Sequence, residues 1–143
     1  MLKGIPSNLS PKLFKILMEM GHGDDIVISD GNFPAASCAR RLISCNGLGV
    51  LGILDAIIQF FPLDSFVEKP ISLMKVVTGD SYKPEIWHEF KKIICKYDER
   101  AADFEFVERF EFYERAKKAY AIVATSETTR YASIILKKGI IDN

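Results

Sequence analysis

Residues 19–34 read EMGHGDDIVISDGNFP and carry two side chains suited to proton chemistry, His22 and Asp30. Glycines on both sides keep bulk away from the imidazole and let the backbone bend around it. An imidazole titrates near neutrality, so it can give or take a proton. The plainer alternative is a turn histidine whose glycines serve only as helix stop and bend. Eight residues later, the Asp30 carboxylate could accept hydrogen bonds from hydroxyls or orient His22. Its plainer alternative is an Asx turn leading into GNFP.

Two further segments hold polar side chains at suggestive spacing. In ERFEFYERAKKA, Arg109 and Tyr113 stand four apart and would share a helical face, unless Arg109 still belongs to the preceding strand. Arginine is a five-donor fork, and tyrosine both donates and accepts. A solvated charge run over a packed aromatic is the commoner meaning of such a segment. In RYASIILKKG, strand alternation would put Tyr131 and Ser133 on one face, or they simply fill a strand edge.

Other constellations fail. Cys38, Cys45 and Cys95 form no C-x-x-C pair, so neither a zinc site nor a disulfide framework is indicated. Reduced, partly buried thiols of a cytoplasmic protein are expected. His88, the second of two histidines, sits beside Trp87 in a helical pattern and reads as a surface residue. No metal site is expected. GLGVLG matches the dinucleotide fingerprint in two glycines only, with no acidic residue in context.

The elements that must position these groups follow from pattern. Ser10-Pro11 caps a helix whose apolar face is Leu13, Phe14, Ile16, Leu17 and Met20, and Gly21 stops it. Ile26–Ile28 is a short buried strand, so His22 falls in the turn before it and Asp30 at its C-terminal end. RRLISC, ISLMKVV, FEFVERF, YAIVAT and YASIILKKG read as further strands. LGVLGILDAIIQFF, PEIWHEFKKIICKY and EFYERAKKA read as helices. Apolar strands alternating with helices predict an α/β protein with a largely parallel sheet covered on both faces. In such sheets ligands gather outside the C-terminal ends of the strands. Asp30 fits that rule; His22 does not.

Composition agrees with one globular domain, residues 1–143: 48% of residues are apolar and 27% charged. Nineteen basic residues balance nineteen acidic ones, leaving no electrostatic footprint for nucleic acid or an anionic membrane. MLKGIPSNLSPK lacks the apolar core of a signal peptide. Asp55 and Gln59 interrupt the most apolar run, so no membrane span is expected.

Taken together, LKGIP, LSPKLFKILMEMGHGDDIVISDGNFP, RFEFYERAKKAYAIVATSE and RYASIILKKG resemble the fucose mutarotase and ribose pyranase family, over nearly the whole chain. The likeness is closest to the fucose branch, through ERFEFYERAKKA and the closing ILKKG. It implies a three-layer α/β/α fold of the RbsD type. It also implies a cofactor-free homo-oligomer, often a decamer of two pentameric rings, with sites near subunit contacts. The histidine of G-H-G-D, here His22, would be the catalytic proton donor, and Asp30 would bind sugar. On this resemblance Arg109 would mark the fucose branch, a position at which ribose pyranases look to carry histidine. Tyr113 and Asp64 resemble residues lining or covering the site. The usual closing motif is Y-x-N; here it is Tyr131-Ala132-Ser133, and the shorter serine hydroxyl bears on sugar preference.

The activity this resemblance implies is exchange of α and β anomers of a free monosaccharide, L-fucose first. Ring opening needs one proton delivered to the ring oxygen and one removed from the anomeric hydroxyl. A neutral-range imidazole suits the first task. For the second, Tyr131, Asp30 or a water could serve. Two alternatives stand beside it: a pyranase exchanging pyranose and furanose forms of ribose, and a non-catalytic sugar-binding subunit.

Overall fold

The computed structural model describes residues 1–99 and 103–143. In chain order the elements are helix α1 (Pro11–Glu19), strand β1 (Asp25–Ser29), helix α2 (Ala35–Cys38), β2 (Leu42–Cys45), α3 (Val50–Ile58), β3 (Ile71–Met74), α4 (Ile86–Cys95), β4 (Glu105–Val107), α5 (Arg109–Lys118), β5 (Ala121–Thr125) and β6 (Ile134–Lys137). The Ser10 hydroxyl accepts the Leu13 N–H at 3.1 Å and Pro11 opens α1, the expected cap. The elements read from pattern are present, with ends trimmed: α3, for example, covers Val50–Ile58 of the longer apolar run. The single turn α2 was not expected.

The six strands form one sheet in the order β2-β5-β1-β6-β3-β4. Strands β1, β2 and β5 run parallel, as do β3 and β4. Strand β6 lies antiparallel between β1 and β3. The sheet is therefore largely parallel, as expected, with one reversed strand at its centre. Burial on both faces explains the near-continuous apolar strands: IVI of β1 and IIL of β6 are almost wholly buried. On one face the core is built from α1, α3 and α4 through Leu13, Ile53, Leu54, Ile57, Phe90 and Ile94. On the other, α5 and α2 pack Phe112, Ala116 and Ala35 against Val27, Ile122 and Ile135. Among the described residues no helix is long and apolar enough to cross a membrane.

Two positions differ from the sequence reading. Arg109 belongs to α5, not to the strand before it, because the Glu108 carboxylate caps the helix by accepting the Phe110 and Glu111 N–H groups at 2.9 and 3.3 Å. Tyr131 precedes β6 in a left-handed conformation, φ 59°, so simple alternation does not carry it to the face of Ser133.

Candidate active site

His22 sits in a tight turn at the entry to β1. Asp24 ties the turn from within, its carboxylate accepting the Gly21 N–H at 2.8 Å. Gly23 takes φ 84° and donates to the Lys138 carbonyl at 2.8 Å, a conformation few other residues adopt cheaply. The imidazole projects from this turn and is 43% exposed. Its Nε2 lies 3.1 Å from Asp64 Oδ1, and its ring packs on Phe66 at 5.2 Å between centroids. Asp64 is buried, 5% exposed, and also accepts the Phe66 N–H at 2.9 Å. Burial pushes its carboxyl pKa up, but the Phe66 N–H, the bond to His22 and the nearby positive charge outweigh this and hold it below the usual range. A carboxylate fixed on one ring nitrogen orients the imidazole, leaving the other nitrogen to face a ligand.

The second cluster lies at the other end of the sheet. A cavity of about 290 Å³ opens beyond the C-terminal ends of β1 and β3, bounded by Asp30, Phe33, Met74, Arg109, Tyr113 and Tyr131. That is the small end of the range for ligand pockets and suits a single sugar ring. Asp30 Oδ1 accepts the Asn32 N–H at 2.9 Å, the Asx turn anticipated as the plainer reading. Asp30 Oδ2 accepts the Ser133 hydroxyl at 2.7 Å, and that same hydroxyl accepts the Asp30 N–H at 3.0 Å. Arg109 Nε donates to Tyr113 Oη at 3.2 Å across one turn of α5. That hydrogen bond raises the pKa of an already basic guanidinium. Phe33 packs edge-on to Tyr113 at 5.4 Å, giving the cavity one apolar wall.

The structure thus sorts the residues expected from sequence into two groups. Asp30, Arg109, Tyr113 and Tyr131 share the cavity. His22 and Asp64 pair with each other at the opposite end of β1. Asp30 does not orient His22; Asp64 does, as its ring partner. Strand β1 alone spans about 13 Å at roughly 3.3 Å per step, far beyond hydrogen-bond reach. Ser133, 1% exposed, lies beneath Asp30 and spends its hydroxyl there, so it supports the cavity floor instead of facing a ligand. Sequence reasoning missed Asp80, whose Oδ2 accepts the Tyr131 hydroxyl at 2.8 Å. Its signal in the sequence is the turn dipeptide Gly79-Asp80.

Comparisons with known proteins bear on this arrangement. The model of the RbsD / FucU transport protein family matches residues 3–141. An L-fucose mutarotase of Actinobacillus pleuropneumoniae serotype 5b (strain L20) is 45% identical over 140 residues, covering 98% of this chain and 97% of that one. The fucose mutarotase of Homo sapiens is 44% identical over 146 residues, covering 98% and 94%. Among solved structures, the fucose mutarotase of Streptococcus pneumoniae in complex with L-fucose superposes with a TM-score of 0.92. It shares 51% identity and covers 99% of this chain and 100% of that one.

Proposed function

The chain belongs to the RbsD / FucU transport protein family, and from that premise we propose that it is an L-fucose mutarotase, an isomerase that exchanges the α and β anomers of the free sugar. The observation that carries this reading is the whole-chain likeness, at 51% identity, to a protein solved with L-fucose. The pyranase alternative is not favoured, since relatives at 44–45% identity over the whole chain bear the fucose name.

The cavity suits the substrate. The free lone pairs of Asp30 accept sugar hydroxyls, and Arg109 donates to others. Phe33, Met74 and the Tyr113 ring offer the apolar wall that a C6 methyl needs. Ring opening protonates the ring oxygen and removes the anomeric proton; closure on the other face of the carbonyl reverses both transfers. His22, steadied by Asp64, is the acid toward the ring oxygen. A positioned transfer of this kind typically contributes about 10²–10⁴-fold.

His22 cannot reach the cavity of its own chain, so the acid comes from a second copy. The His22 end of one subunit meets the Asp30 end of the next. Such a head-to-tail contact repeats until it closes a ring. This supports a homo-oligomer, and a decamer of two pentameric rings is the assembly we propose. A reducing, cytoplasmic setting suits the free thiols of Cys38, Cys45 and Cys95.

Saturation-transfer proton NMR on L-fucose tests the reading. Saturating one anomeric proton should diminish the other only when protein is present, and His22→Ala should abolish the effect. Transfer between ribose forms but not fucose anomers would move the protein to the pyranase class. No transfer with either sugar would refute catalysis.

A further inference from the structure

Tyr131 is held in place from several directions. With φ 59° it is the one non-glycine residue with positive φ among the described residues, a conformation that persists only where the surroundings impose it. Trp87 Nε1 donates to its carbonyl at 2.9 Å. Its ring stacks on Tyr82, with centroids 6.0 Å apart and planes at 25°. The phenol donates to Asp80 Oδ2 at 2.8 Å. Asp80 is itself fixed: its Oδ1 accepts the Tyr82 N–H at 2.9 Å, and its Oδ2 also accepts from Arg130 Nη1 at 3.3 Å. Arg130 in turn lies over the Tyr82 ring at 4.2 Å. Segment 77–82 is thus wrapped around a single phenol that borders the sugar cavity.

This geometry has a directional consequence. Because the Tyr131 proton is spent on Asp80, the phenol oxygen acts as an acceptor: it takes the Val77 N–H at 3.4 Å and keeps one lone pair for a ligand in the cavity. Tyr131 borders the cavity whereas Asp80 stands behind it. We propose that Asp80 is a positioning residue that makes Tyr131 the second proton carrier of ring opening, an inference that rests on the mutarotase reading. The anomeric O–H gives its proton to Tyr131 Oη, and the Tyr131 proton passes to Asp80. The electron pair left on the anomeric oxygen forms the carbonyl as the bond from C1 to the ring oxygen breaks. The ring oxygen takes a proton from His22 of the second copy. Closure runs each transfer backwards, so Asp80 ends ionised, His22 protonated and Tyr131 unchanged.

The phenol is suited to a relay. Burial, and then the bond to Asp80, hold its pKa above the usual tyrosine range, so it stays protonated near neutrality. The charged and titratable groups around it are Asp80, Arg130 and Tyr82 on the wrapping side, and Asp30, Arg109 and Tyr113 across the cavity. Asparagine cannot replace Asp80, since both carboxylate oxygens accept and an amide offers one acceptor only.

The test compares Asp80→Asn and Asp80→Ala with the wild-type chain. Anomer exchange gives kcat and KM, and ¹³C-labelled tyrosine gives the Tyr131 titration, assigned with Tyr131→Phe. Both variants should lose kcat by about tenfold or more, within the scale of a positioned proton transfer, while KM for L-fucose stays within about threefold. Tyr131 should titrate at lower pH once the carboxylate is gone. Unchanged kcat, a loss seen wholly in KM, or an unmoved titration would each overturn the proposal. Circular dichroism excludes unfolding as the cause of a loss. A wild-type chain without exchange on fucose would overturn the functional reading, and the titration would still decide whether Asp80 holds Tyr131.

Discussion

An equimolar mixture of two inactive variants, His22→Ala and Asp30→Ala, should recover about one quarter of wild-type activity if each site is shared between two copies. The magnitude follows from the separation of His22 and the cavity along β1. In a shared site the imidazole comes from one copy and the cavity from the next. In a randomly assembled ring the copy giving the imidazole is Asp30→Ala in about half of sites, and so carries an intact histidine. Independently, the copy giving the cavity is His22→Ala in about half, and so carries an intact Asp30. The product is about a quarter of sites fully intact, whatever the ring size. The two proteins should be refolded together so that subunits mix, and assayed by saturation transfer between fucose anomers. Each variant alone sets the baseline. A mixture that stays at that baseline would refute the shared site, because a site contained in one chain cannot be rebuilt by mixing two damaged chains.

Asp64→Asn should lower kcat roughly tenfold to a hundredfold with little change in KM, since the ring of His22 loses its partner but the cavity beside Asp30 is untouched; steady-state exchange rates at varied fucose check it. The same carboxylate links stability to acid. Its folded pKa lies below its unfolded value, so its contribution is complete above about pH 4 and is lost as pH falls through the folded value. Between pH 5 and pH 2.5 the wild-type melting temperature should therefore fall further than that of Asp64→Asn. Ser133→Ala leaves the Asp30 N–H without its acceptor and should cost about 1–3 kcal/mol in denaturant unfolding, with Ser133→Thr milder. Gly139→Ala should destabilise the fold and weaken catalysis together. A Cβ there would sit 2.6 Å from the Leu63 carbonyl oxygen and 2.9 Å from Asp64 Cα, displacing the carboxylate that holds His22; melting and exchange rates measured on one sample check both.

Much of the fold was legible because its signals are local. Ser10-Pro11 announces α1, and the runs IVI, YAIVAT and IILK announce strands buried on both faces. The direction of β6 was not legible, since strand pattern carries no polarity and only pairing with β1 and β3 defines it. Arg109 was ambiguous because glutamate is an unusual helix cap, and FEFVERF reads as continuous alternation until Glu108 turns its carboxylate onto the next N–H groups. The site residues were reached from type and motif, yet their division into two groups was invisible. His22 and Asp30 are near in sequence, and nothing in a string of letters says that a rigid strand keeps them apart. The role of Ser133 was likewise hidden, because its hydroxyl is judged by what lies beside it, and Asp30 is 103 residues away.

The position of β6 sets the order in which this chain can become a protein. Strands β1 and β3 have no contact in the sheet except through β6, which comes after both in the sequence. In a nascent chain emerging from the ribosome β3 can pair with β4 early, whereas β1 and β2 wait for β5, and the two halves wait for β6. Only when residues 134–137 leave the exit tunnel can the last strand slide between them and zip the halves together. Joining distant segments in this way is slow, so the burden on chaperones should fall in the moments just before and after that release.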